Sequence, residues 1–241
     1  MPSSPTLSTP SLSRWWWALA PALLVPFLGS FVYFVFFPGT VFGHAVYTGE
    51  KIFMIFWPLL ALGFIQREKL WNGWRGEGRR HLASVGPGIA FGLLIVALLV
   101  LLVTQTPLGT VVDENAGSIR ERMEDMGAVE HFVLFALFLS LANAAMEEFF
   151  WRWFVFGMMR RRGPIWRAHL LAAVAFAAHH VVVLSQFFPL PWALAFGACV
   201  ATGGAVWSVF YQRYGSLLGS WLSHVLIDFG IMWVGWRVLQ G

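Results

Sequence analysis

Twelve residues in the middle of the chain, Asn143-Ala144-Ala145-Met146-Glu147-Glu148-Phe149-Phe150-Trp151-Arg152-Trp153-Phe154, set two adjacent carboxylates and a guanidinium inside an apolar run from about 132 to 159. At ~1.5 Å per helical residue, a run of that length crosses a hydrocarbon layer. Ionisable groups at such depth are costly, and by default they mark function. Glu148 and Arg152 stand four apart on one helical face and can neutralise each other. A structural ion pair needs one acid. Glu147, roughly 100° further round the helix, is a second one with no local partner.

Two later apolar runs carry the other polar groups. His179 and His180 follow Phe176 in a run from about 165 to 188, and His224 and Asp228 lie in a run from about 217 to 239. Asp228 is four residues after His224, on the same face, where it could accept a hydrogen bond from a ring nitrogen. His44 and His81 read as loop histidines, and His131 and His169 as ordinary histidines near span ends. If the three runs converge, they enclose a polar cavity. A carboxylate shielded from water is a usable general base, and imidazoles can donate to a developing oxyanion. A base, donors and a trapped water are what amide hydrolysis requires. Two histidines and a glutamate could instead hold zinc, although the chain has no His-Glu-x-x-His helix. A proton-coupled transporter would use the same residue types as a relay. A binding module would rarely bury this set in separate spans.

The elements that must position these groups follow from composition. Of 241 residues, 58% are hydrophobic and 12% charged, with 14 Trp and 23 Phe. Soluble domains carry roughly 25% charged residues, so the chain reads as all-α, a polytopic transmembrane helical bundle of about seven spans. Residues 1–13, rich in Ser, Thr and Pro, read as a disordered tail, residues 14–241 as the transmembrane domain, and 128–239 as its catalytic part. The spans read as 14–37, 51–65, 85–103, 132–159, 165–188, 192–210 and 217–239. The second is short unless residues 45–47 join it, and a re-entrant segment or an eighth membrane segment is the alternative. Residues 38–50 read as a loop. Gly86, Pro87, Gly88 and Gly92 predict a close helix contact or a bend at the start of the third span. Ser118–Asp125 reads as a short surface helix.

Net charge is +4, but the bases cluster in short loops, at 67–80, 160–167 and 211–215. That is a topology signal and not a nucleic-acid footprint. It puts those loops and the N-terminus in the cytoplasm, and the acidic 105–127 loop outside. Cys199 is a lone packing residue that permits no intrachain disulfide.

In order, Glu147-Glu148-x-x-x-Arg152, Phe176-x-x-x-His180 and His224-x-x-x-Asp228 resemble the CPBP family of intramembrane proteases, which includes the CAAX prenyl endopeptidases and bacteriocin-immunity-type homologues. The resemblance covers roughly 132–228, a little under half the chain. It implies a glutamate-dependent endopeptidase with Glu147 as the base that activates water. Glu148 and Arg152 would shape the site, and His180 and His224 would stabilise the oxyanion or bind a metal. The family's last motif often ends in Asn, and here it is Asp228. His179 competes with His180 for its role. The implied partners are a protein or peptide substrate, a C-terminal segment among the candidates, and the lipid bilayer. The compact length and short loops resemble bacterial members, which implies the bacterial cytoplasmic membrane. Whether a metal cofactor takes part is left open by the residues.

Overall fold

Inside a bilayer no water bonds the backbone, so every span must satisfy its own amides. The computed structural model, which describes residues 11–66 and 78–241, does so with seven long helices: α1 (Leu12–Phe36), α2 (Val41–Ile65), α3 (Gly78–Gln105), α6 (Phe132–Met159), α7 (Ile165–Leu184), α8 (Leu190–Tyr214) and α9 (Leu218–Gln240). Two short helices, α4 (Leu108–Glu114) and α5 (Ala116–Asp125), lie between α3 and α6. Among the described residues there is no strand. Each long helix is long and apolar enough to cross a membrane, and the chain is a polytopic membrane bundle.

The second span is where the structure corrects the sequence expectation. Helix α2 begins at Val41, where Thr40 caps it by accepting the Gly43 amide at 3.0 Å, so the expected 38–50 loop shrinks to a turn and His44 is helical. With 25 residues α2 is a full span. A charge at Lys51 mimics a span boundary. Glu50 and Lys51 instead lie within the helix, and Glu50 is buried. His81 is likewise helical, in the first turn of α3. Helix α1 starts at Leu12, inside the segment expected to be a tail, and residues 1–10 lie outside the described residues, as does the 67–77 part of the basic loop.

The bundle has a basic end and an acidic end. At the basic end the Trp15 Nε1 donates to the Met158 carbonyl at 3.0 Å and Gln66 Nε2 to the Arg14 carbonyl at 2.7 Å, tying the start of α1 to the ends of α6 and α2. The Arg160 guanidinium lies 5.3 Å from the Tyr211 ring of α8. At the acidic end Arg237 pairs with Asp113 at 3.1 Å, and Arg120 donates to the Val238 carbonyl, so α4 and α5 are docked on the end of α9.

Two helix pairs carry the later motifs, α3 against α9 and α7 against α8. The first is a contact only small residues permit. A Cβ on Gly88 would come within 2.2 Å of the Gly219 carbonyl oxygen, and one on Gly92 within 3.1 Å of the Ser223 Cα. Ser84 Oγ accepts the Gly219 amide at 3.1 Å across the same crossing. This fixes the first turns of α9, and with them His224. The second pair is tightened by Gly204, where a Cβ would lie 3.0 Å from the Phe176 ring.

Candidate active site

The site is built around a distortion of α6. Residues 138–143 and 148–156 are wound with the wider i→i+5 repeat, flanking a single α-helical turn, Ala144–Glu147. Such π turns cluster at functional sites because they re-aim side chains that a regular helix would spread round its axis. Here they bring Asn143, Glu147, Glu148 and Arg152, all buried, into the interior of the bundle.

Glu148 and Arg152 form the pair expected from their spacing, with Arg152 Nη1 3.2 Å from Glu148 Oε1 and neither side chain more than 2% exposed. The guanidinium is also boxed between rings, 4.3 Å from the Phe176 centroid and 4.7 Å from that of Trp207. Desolvated cation–π contacts of this kind are worth about 2 kcal/mol.

His224 is the centre of the cluster. Its Nδ1 donates to Glu148 Oε1 at 3.0 Å, while its Nε2 lies 3.7 Å from Glu147 Oε2 and 3.6 Å from Asp228 Oδ1. The expected orienting bond from Asp228 is therefore replaced by one from Glu148, since 3.6 Å is too long for a hydrogen bond. Asp228 remains a nearby buried carboxyl group. The ring is held flat by Trp207, stacked at 4.2 Å and 18°, whose Nε1 donates to Ser223 Oγ at 2.9 Å.

Glu147 is less isolated than its spacing implied. Asn143, one helical turn earlier, donates from Nδ2 to Glu147 Oε1 at 3.0 Å. Ring nitrogens of both His179 and His180 approach it, and one ligand atom from each of the three residues lies within 4.8 Å of the others. Proximity does not separate the two histidines. His180 Nδ1 donates to the Phe176 carbonyl at 2.9 Å, which leaves its Nε2 lone pair for other work. His179 is stacked on Trp151 at 5.4 Å and 8°.

All seven sequence-derived candidates, Glu147, Glu148, Arg152, His179, His180, His224 and Asp228, thus meet in one cluster. Three further groups escape a reading by residue type and spacing. Asn143 carries a signal, its i, i+4 relation to Glu147. Trp207 carries none, being one tryptophan among many. Lys51 carries one that a misplaced span boundary hides. It lies on α2, which packs against the Ala144–Glu147 turn of α6.

A divalent ion fits this donor set in chemistry, since imidazole nitrogen and carboxylate oxygen are zinc ligands. Ligands about 2.1 Å from a tetrahedral zinc lie roughly 3.4 Å apart, inside the 4.8 Å that bounds the separations of the trio's ligand atoms.

Residues 129–230 match the family model described as type II CAAX prenyl endopeptidase Rce1-like, a stretch that takes in every motif residue from Asn143 to Asp228. No curated protein and no solved structure matches the chain.

Proposed function

We propose that this chain, whose residues 129–230 belong to the Rce1-like family of CAAX prenyl endopeptidases, cleaves a peptide bond of a membrane-associated protein or peptide. The family match and the buried Glu/His cluster mark a membrane-embedded enzyme with hydrolase-type active-site chemistry. The observation that carries the residue roles is a carboxylate, Glu147, held inside the bundle by Asn143 with imidazoles on two other helices facing it.

In this reading Glu147 takes a proton from water as the oxygen attacks the scissile carbonyl, and later gives it to the leaving amine. One peptide bond and one water become a carboxylate and an amine. Glu148 does not take the proton, because it is engaged by both Arg152 and His224. It orients the His224 ring, whose Nε2 faces Glu147 and can donate to the oxyanion. His180 contributes its Nε2 lone pair from α7 as an acceptor for the attacking water, and Asp228 sets a carboxyl group beside His224. If a divalent ion is part of the enzyme, Glu147, His179 and His180 would hold it, and it would supply Lewis-acid activation of the water.

The finer expectations belong to the same proposal. The substrate is a membrane-associated polypeptide, its C-terminal segment being the stretch to try first, because the matched family is one of CAAX prenyl endopeptidases. The positive-inside rule puts the basic end of the bundle and the N-terminus in the cytoplasm, and short loops fit a bacterial cytoplasmic membrane. The experiment is to incubate purified protein in proteoliposomes with lipidated peptides and read products by mass spectrometry. Shorter peptides support the protease. Proton-coupled flux of an uncut solute would instead favour a transporter built from the same relay of acids and imidazoles.

A further inference from the structure

Helix α8 supplies no acid or histidine to the site, yet its Trp207 lies against two of the groups that do the work there. The side chain is buried, 4% exposed. Its indole stacks on the His224 ring at 4.2 Å and 18°, and the Arg152 guanidinium lies 4.7 Å from its centroid. The same two groups share Glu148 Oε1, which accepts from His224 Nδ1 at 3.0 Å and pairs with Arg152 Nη1 at 3.2 Å.

What His224 can do depends on where its Nε2 points, and neither carboxyl group facing that nitrogen holds it. Glu147 Oε2 at 3.7 Å and Asp228 Oδ1 at 3.6 Å are both too far for a hydrogen bond. The last torsion of a histidine is broad, so the single bond from Nδ1 aims the ring loosely. A turn of about 30° about that torsion shifts the point at which the Nε2 hydrogen aims, about 2.9 Å beyond the nitrogen, by roughly 1 Å. A ring lying flat on an indole resists that turn, because tipping it either overlaps the stack or parts it. The indole is itself anchored. Its Nε1 donates to Ser223 Oγ at 2.9 Å, and Ser223 precedes His224 in α9. Helix α3 backs the same stretch, where a Cβ on Gly92 would meet the Ser223 Cα at 3.1 Å. Charge adds to shape. A histidine that donates from both nitrogens is an imidazolium, and indole is the best aromatic surface for a cation.

We infer that Trp207 is a positioning residue for peptide hydrolysis, the platform of α8 that aims His224 Nε2 at the oxyanion. This rests on the peptidase reading above. Trp207 touches neither the substrate nor the attacking water and exchanges no proton. It acts through the plane of the His224 ring.

The test compares Trp207→Leu, Trp207→Phe and Ser223→Ala with the wild type in proteoliposomes. The probes are a lipidated peptide that the wild type cleaves and its phosphinate isostere, a tetrahedral anion. Misplacing a catalytic group by 1 Å can cost about 100-fold. Trp207→Leu is expected to lose roughly a hundredfold in kcat with KM little changed, and to bind the phosphinate more weakly by a similar factor. Trp207→Phe restores a flat ring and is expected to recover most of both losses. Ser223→Ala unties the indole while keeping its face, and is expected to lose roughly tenfold in each, so the inference can fail even where Trp207→Leu does not fold. Wild-type inhibition by the phosphinate in Trp207→Leu or in Ser223→Ala would overturn the inference whatever happens to kcat, because a smaller folded fraction lowers the rate without weakening the inhibitor. A Phe variant as impaired as the Leu one would overturn it too, since a flat face would then not be what aims the ring. A rise in KM alone would overturn it by making Trp207 a substrate contact. Each of these results leaves the peptidase standing, whereas absence of any product from the wild type would overturn both readings.

Discussion

Arg152 offers the sharpest test of how the site is held together. Its side chain is 2% exposed, its guanidinium lies 3.2 Å from Glu148, and two rings flank it at 4.3 and 4.7 Å. Arg152→Ala strands Glu148 in a place where it cannot be hydrated. Breaking a buried pair from one side costs about 3–5 kcal/mol, and the lost ring contacts fall within the upper part of that range because they are not additive with it. For a chain of this size a kcal/mol moves the unfolding midpoint by roughly 2–4 °C, so a drop on the order of 10 °C is expected in a thermal scan in detergent. The double variant Glu148→Gln/Arg152→Met removes both charges. The carboxamide oxygen of the introduced glutamine can still accept from His224 Nδ1, and the methionine side chain fills the space of the arginine stem. The double variant is expected to regain at least half of the lost midpoint while remaining inactive. A midpoint for Arg152→Ala within about 2 °C of wild type would refute the buried-pair reasoning, as would a double variant less stable than the single one.

Two further outcomes follow from the geometry. Asn143→Ala removes the 3.0 Å hydrogen bond to Glu147, and a bond to a charged group is worth about 1.5–3 kcal/mol, so the thermal midpoint is expected to fall by roughly 3–12 °C, and kcat is expected to fall as well because the base is no longer oriented. Peptide cleavage at saturating substrate checks this, and an unchanged kcat would show that Asn143 does not position the base. Gly88→Val drives a side chain into the Gly219 backbone, so α9 must move and carry His224 with it. Overpacking typically costs about 1–3 kcal/mol, and both midpoint and cleavage are expected to fall, with the midpoint read by the same thermal scan.

Much of the site is legible in the sequence because hydrocarbon is a severe filter. A lipid-facing acid is so costly that Glu147, Glu148, His180, His224 and Asp228 stand out from the apolar runs on residue type alone. The i, i+4 rule yields the Glu148–Arg152 pair, and glycines yield the α3–α9 crossing through Gly88 and Gly92. The same filter misleads at α2. A charged pair looks like the end of a span, so Lys51 reads as a boundary when it lies inside the 25-residue helix Val41–Ile65. Pairing across helices is also beyond the sequence. Spacing predicts that His224 orients on Asp228 in its own helix, and it bonds Glu148 of α6 because the π turns swing that carboxylate toward it. Trp207 and its stacking on His224 depend on the rotation of α8, which no periodicity in an all-apolar helix reveals.

The central claim is that Glu147 is the base for peptide hydrolysis, and one substitution tests it most directly. Glu147→Gln keeps the size of the side chain and the bond from Asn143 while removing the proton acceptor. Purified from membranes, folded by thermal scan and assayed on a lipidated peptide that the wild type cleaves, this variant is expected to give no product above background. Cleavage by Glu147→Gln at a rate near that of the wild type would contradict the account.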